Sequence, residues 1–308
     1  MKEIKIFSGK SHPILAERIC QELGVLLGSL KTKEYKNGCF ELIFEKDISQ
    51  KTVFLVQTSL PNSYNLHKHI WELFEMVNSA KNYNAKKIIV IMPYVSYARS
   101  DKIYAQGMGI NGELLVRLLE RSGMTGFIGI DFHSDKFERF FSSKLYHLSA
   151  IDLLAEALKG RIPQNTFILP ADMGASKKCS ILAGKLGIPF GLVEKERISD
   201  TKVEVKKIQG EFIDKDVIIF DDEISTGTTL KTLAKEVEKR RAKSITFVVT
   251  HGLFVGDVVK NFQDIKKLRE IIITDTIPIS KEIKESLPLK VISVSNLLAE
   301  RIKEICKD

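Results

Sequence analysis

Short runs of apolar, largely β-branched residues recur along this chain, and between them apolar residues return every three or four positions. The first pattern predicts strands over residues 4–7, 52–56, 87–92, 126–130, 166–169, 217–220, 245–250, 271–274 and 290–293. The second predicts helices over 13–23, 65–81, 111–122, 153–159, 176–186, 230–240 and 297–305. Such alternation belongs to the α/β class, with mainly parallel sheets flanked by helices and ligands at the carboxyl ends of the strands. The arrangement also runs twice. A strand, Pro93-Tyr-Val-Ser-Tyr-Ala-Arg99, a helix, a strand and Asp131-Phe-His133 are echoed by a strand, Ala171-Asp-Met-Gly174, a helix, a strand and Asp221-Asp222. A boundary at Leu148-Ser149-Ala150 gives two similar domains, 1–149 and 150–308.

Residues 217–229 are the richest in chemistry. Val217 to Phe220 suit a buried parallel strand, Asp221 and Asp222 follow, and then come the small residues Ser225, Thr226, Gly227, Thr228 and Thr229 before a helical pattern. A tight turn of small residues at a helix N-terminus is an anion cradle, because backbone amides, the helix dipole and the hydroxyls all present positive ends. The acids upstream cannot take a phosphate and suit a sugar diol or a metal ion. Together they describe a site for a ribose phosphate. The simpler alternative is an ordinary turn in which Ser225 or Thr226 caps the helix.

Other strand ends carry polar residues. Asp131 and His133 lie two apart and would share a side on extended chain, which suits a metal or phosphate contact. Asp172 is either a metal or ribose ligand or a cap for the helix after it. Lys195 and Arg197 open a polar stretch, expected as a mobile loop, and could offset charge on phosphoryl oxygens or simply be solvated. Arg99 and Asp101 either hold a nucleotide or pair with each other. Ser8-Gly-Lys-Ser11 ends like a phosphate-binding P-loop, but Ile4 stands where the upstream glycine is required.

Composition narrows the setting. Hydrophobic content of 44% and charged content of 28% are those of a soluble globular protein. No apolar run nears the roughly 18 residues of a membrane span, and the N-terminus reads as a strand, not a signal peptide. Four scattered cysteines without ligand spacing fit reduced thiols, so a cytoplasmic location is expected. The net charge of +8 is spread over polar helix faces, without the basic and aromatic blocks of a nucleic-acid surface.

Taken in order, Pro93–Asp101, Asp131–His133, Asp172–Gly174, Lys195–Arg197 and the 217–229 motif resemble ribose-phosphate diphosphokinase (phosphoribosyl pyrophosphate synthase) over essentially the whole chain. The resemblance implies two tandem type I phosphoribosyltransferase-like domains, ATP on the first and ribose 5-phosphate on the second. It further implies that the last helix packs back on the N-terminal domain. The implied reaction is Mg²⁺-dependent transfer of the diphosphoryl group of ATP to the C1 hydroxyl of ribose 5-phosphate, a step in nucleotide biosynthesis. Carried onto matching positions, Ser225 to Thr229 hold the 5-phosphate and Asp221 with Asp222 the ribose hydroxyls. Lys195 and Arg197 stabilise the transferring group, His133 and Asp172 serve the metal, and Arg99, Asp101, Tyr35 and Asn37 contact the nucleotide. A homo-oligomer is likewise implied. The chain departs from the family at Tyr35-Lys-Asn-Gly-Cys39, which lacks both acids usual there, and at Ser100, Ala175 and Lys178. Two other readings are a silent ribose-phosphate-binding regulatory homologue, motivated by the lost acids, and a nucleobase phosphoribosyltransferase.

Overall fold

The computed structural model describes residues 4–60, 66–197 and 203–307, apart from the side chains of residues 195–204. Its backbone packing separates two compact units. One runs to Leu148 and also takes in Thr276–Pro278 and the chain from Val294 onward; the other holds Ser149–Asp275 and Ile279–Ser293. The chain thus returns to the first unit twice after its midpoint, at Thr276–Pro278 and again from Val294.

In the first unit β1 (Ile4–Ser8), α1 (Pro13–Leu23), the hairpin β2 (Leu30–Glu34) and β3 (Phe40–Phe44), β4 (Thr52–Val56), α2 (Leu66–Asn82), β5 (Lys87–Ile91), α3 (Asn111–Ser122), β6 (Gly126–Ile130) and β7 (Lys144–Leu148) follow in order. The sheet runs β1-β4-β5-β6-β7, every pair parallel, while β2 and β3 pair antiparallel in a separate ribbon. Parallel strands covered on both faces must be apolar throughout, and Val53 to Val56 and Ile88 to Ile91 are buried in unbroken runs. Phe7, Leu55, Leu73, Val77, Val90, Leu115, Leu119 and Phe127 pack as one cluster.

The second unit contains α4 (Ile151–Leu158), β8 (Thr166–Pro170), α5 (Ser176–Leu186), the ribbon β9 (Leu192–Arg197) and β10 (Val203–Gln209), β11 (Asp216–Ile224), α6 (Thr228–Lys239), β12 (Ser244–Gly252), α7 (Val258–Gln263), β13 (Leu268–Thr274), α8 (Lys281–Ser286) and β14 (Leu289–Ile292). Its sheet runs β14-β13-β12-β11-β8 in parallel, with Leu233, Val237, Phe247 and Phe262 in the core.

The last helix, α9 (Ser295–Ile305), lies on α1 in the first unit. Leu298, Ala299, Ile302 and Ile305 are its buried stripe, at the i, i+4 spacing of a one-sided helix. No helix among the described residues is long and apolar enough to cross a membrane. Ile302 is fully buried, so Ile302→Ala should cost about 2–4 kcal/mol, read as a lower urea midpoint; an unchanged midpoint would show that α9 adds little.

Candidate functional site

The cradle forms where β11 leaves the sheet. The strand does not stop at Phe220 but runs through both acids to Ile224, held on β12 by pairs from Asp216 to Ile224. Asp221 is thereby drawn to 7% exposure, while Asp222 stays half-buried. Ser225, Thr226 and Gly227 make the turn, and α6 opens at Thr228, two residues ahead of the apolar pattern.

The capping alternative fails on geometry. Gly227 occupies the N-cap in the left-handed conformation (φ 74°) and has no side chain to accept from the first turn. The Thr226 hydroxyl lies 3.0 Å from that of Thr228 instead. The turn is gripped from behind: the Val255 amide donates to the Ser225 carbonyl (3.1 Å) and the Asn261 side-chain amide to the Thr226 carbonyl (2.9 Å). Gly227 admits this approach, since a Cβ there would stand 2.5 Å from the Phe262 ring. The result is a helix start whose N-cap residue supplies no capping side chain, with Thr226 and Thr228 exposed beside it.

Beside the cradle stands a cluster of carboxylates. Burial first, then repulsion from Asp222 and a side-chain hydrogen bond with it, then Asp172, push the Asp221 carboxyl well above its ordinary range. The Asp222 amide, donating to Asp221 Oδ1 at 2.9 Å, offsets part of this. Asp172, exposed after β8, also accepts the Ala175 amide at 3.1 Å ahead of α5, so it does the work of a cap while facing Asp221 electrostatically. Such a group of acids is relieved by hydroxyl donors or a cation.

Lys195 and Arg197 do not sit in a loop. They belong to β9, their backbones opposite Val205 and Val203 of β10, because Val193 and Ile208 anchor the ribbon in the core. Their side chains, and residues 198–202, lie outside the described residues.

The remaining candidates are in the first unit. Arg99 ends a short 3₁₀ turn, Ser96–Arg99, beyond β5, and is exposed; Asp101 is half-buried. Gly112 lets α3 start against this segment, its amide donating to the Ser100 carbonyl at 3.1 Å, where a Cβ would meet the Tyr97 carbonyl at 2.7 Å. Asp131 and His133 follow β6, but Asp131 adopts φ 42°, so the chain turns and the two do not share a side as they would on extended backbone. Asp131 is buried and His133 exposed. Tyr35 and Asn37 form the exposed tip of the β2–β3 hairpin, the Tyr35 hydroxyl donating to Glu41 (2.8 Å) and Asn37 Oδ1 accepting the Cys39 amide (3.1 Å).

Several braces escaped the sequence reading. Gln57, buried beyond β4, accepts from the Ser11 amide and hydroxyl and donates to Glu72 at 2.6 Å. That explains Ser8–Ser11 as a turn tied to the core and not a P-loop. His251 and Glu223, buried and paired across β11 and β12, stand near the acids. A polar residue closing an apolar run, as His251 does at Thr250-His251-Gly252, was the available signal.

The chain is similar to known proteins along nearly its whole length. Residues 4–123 match the N-terminal domain of ribose phosphate pyrophosphokinase, and residues 184–308 match the phosphoribosyl synthetase-associated domain. The ribose-phosphate pyrophosphokinase of Deinococcus radiodurans is 33% identical over 305 residues, covering 97% of this chain and 94% of that protein. That of Porphyromonas gingivalis is 32% identical over 302 residues, covering 98% and 94%.

The chain belongs to the ribose-phosphate pyrophosphokinase family.

It is therefore an enzyme of the diphosphate-transferring class, and its family makes the phosphoribosyl pyrophosphate of nucleotide biosynthesis. The crystal structure of phosphoribosylpyrophosphate synthetase from Mycobacterium smegmatis superposes with a TM-score of 0.90 at 26% identity, covering 99% of both chains. The expected fold, two parallel-sheet domains flanked by helices, is the one observed.

The cradle yields two expectations for this family member. Gly227→Ala forces a Cβ into Phe262 at a positive φ, so it should cost about 1–3 kcal/mol and weaken phosphate binding; calorimetry showing wild-type affinity would remove Gly227 from the site. Asp221 gives a pH signature. A carboxyl raised on folding contributes most below about pH 4 and loses that contribution as pH climbs through its folded value. Ligand-free Asp221→Asn should therefore melt above wild type at pH 7–8, the gap closing toward pH 4, and a gap that widens on acidification would refute the burial argument.

Proposed function

We propose that this chain transfers the β,γ-diphosphoryl group of ATP to the C1 hydroxyl of ribose 5-phosphate, releasing AMP and 5-phosphoribosyl 1-diphosphate. The observation that carries this reading is the uncapped start of α6 beside the buried Asp221. A phosphate fits the first and a sugar diol the second, in a chain of the family described above. Ser225 to Thr229 would take the 5-phosphate, and Asp221 with Asp222 the ribose hydroxyls, which relieve the crowding of acids there.

Lys195 and Arg197 would meet the charge that grows on the phosphoryl oxygens as the C1 oxygen bonds the β-phosphorus and the bond to the α-phosphate oxygen breaks. Arg99 and Asp101, with Tyr35 and Asn37 of the hairpin tip, would contact the nucleotide. Phosphoryl transfer needs positioning and charge compensation more than a nucleophilic side chain, and no nucleophile is assigned here.

Mg²⁺ fits these residues. Among the described residues no three His, Cys, Asp or Glu side chains are grouped as a cage for an ion. Mg²⁺ is ordinarily held by one or two carboxylates plus substrate phosphates and keeps several waters. The exposed Asp172 would supply a carboxylate on that pattern, the exposed His133 is proposed as a metal contact from the resemblance, and the ion would neutralise phosphate oxygens. The family resemblance supports a homo-oligomer as the working assembly.

The test is AMP release from ATP, Mg²⁺ and ribose 5-phosphate, and the absence of turnover by folded protein would overturn the reading. Lys195→Ala should lower kcat by about a hundredfold or more with KM nearly unchanged, because its partner charge appears mainly in the transition state. A raised KM at wild-type kcat would instead make Lys195 a binding residue.

A further inference from the structure

The turn that carries His133 is set by a side chain outside every motif above. Asp131 is a non-glycine residue in the left-handed region (φ 42°), a conformation that persists only where its surroundings impose it. Two consecutive amides do so. The Asp131 amide donates to the Leu148 carbonyl at 2.9 Å, and the Phe132 amide donates to His147 Nε2 at 3.0 Å. Both acceptors lie at the end of β7, whose His147 stands opposite Gly129 of β6.

The imidazole is held on its other sides too. It stacks on the Phe132 ring with centroids 4.3 Å apart and planes 14° from parallel. Phe132 is buried at 4% exposure, lying against Gly129, where a Cβ would stand 2.3 Å from the ring. Nδ1 of His147 lies 2.5 Å from Glu138 Oε1. These contacts dictate the proton's place. An amide can only donate, so Nε2 must keep its lone pair; the proton then sits on Nδ1 and points at the Glu138 carboxylate. An imidazolium would set two N–H groups against each other.

We propose that His147 is a positioning residue for the Asp131–His133 turn, acting as a neutral Nδ1–H imidazole that receives the Phe132 amide and is oriented by Glu138. Its effect on turnover rests on the function proposed for His133 above, whereas its tautomer does not. Removing the acceptor orphans a buried amide and releases the turn, which displaces His133 without touching the ribose phosphate cradle of Ser225 to Thr229.

Two measurements test this. In the full-length protein labelled with ¹⁵N in its histidine rings, long-range ¹⁵N–¹H correlation should show His147, assigned by its absence from the His147→Gln spectrum, protonated on Nδ1 and not on Nε2. A ring protonated on Nε2, or on both nitrogens, would overturn the proposal whatever the enzyme's activity. In the AMP-release assay, His147→Phe, which keeps the stack but cannot accept, should lower kcat about tenfold to a hundredfold with KM for ribose 5-phosphate within about twofold. His147→Gln, whose Oε1 reaches the place of Nε2, should recover kcat to within about threefold of wild type. Equal kcat for the two variants would show that the hydrogen bond does not position the turn. No AMP release from the wild type would defeat the proposed function instead, the spectrum still deciding the tautomer.

Discussion

A helix that begins without a capping side chain leaves its first amides to find partners elsewhere, and much of the second unit follows from that condition at α6. Gly227 alone can hold the left-handed N-cap while Phe262 presses on its Cα. Asn261 and Val255 grip the carbonyls of the turn and so turn its oxygens inward. A Ser or Thr cap would close the helix and fill the cradle at once. The turn stays open because that simpler solution is not taken.

The acids next to the cradle have a related origin. Extending β11 through Asp221 adds ladder bonds to β12 but carries a carboxyl into the interior beside two others. In the ligand-free protein that is an unfavourable accumulation of like charge. A hydroxyl-rich or cationic partner would remove it, and binding there would then also relieve a folding cost.

The first unit solves a different problem with the same means. Two of its turns are shaped by polar side chains from neighbouring elements: Gln57, itself held by Glu72, takes Ser11, and His147, oriented by Glu138, takes the Phe132 amide. In each case a backbone amide beyond the strand ladder is taken by a side chain from another element. Satisfying amides at the strand ends and fixing the turns that follow are one construction here.

Where local residues decide the outcome, the amino-acid sequence by itself determined it. The unbroken apolar runs of parallel strands, the one-sided helices and the small-residue turn at 225–229 could be read directly, as could the doubled α/β arrangement. The β2–β3 and β9–β10 ribbons could not, because strands such as Leu30-Lys-Thr-Lys-Glu34 are half-exposed and polar, and their pairing supplies what their composition lacks. Only the tertiary structure decided that β11 continues past Phe220, that Asp131 turns the chain away from His133, and that α9 lies on α1. Each depends on partners far along the chain, β12, β7 and α1, and long-range hydrogen bonding and burial outweigh local preference at those positions.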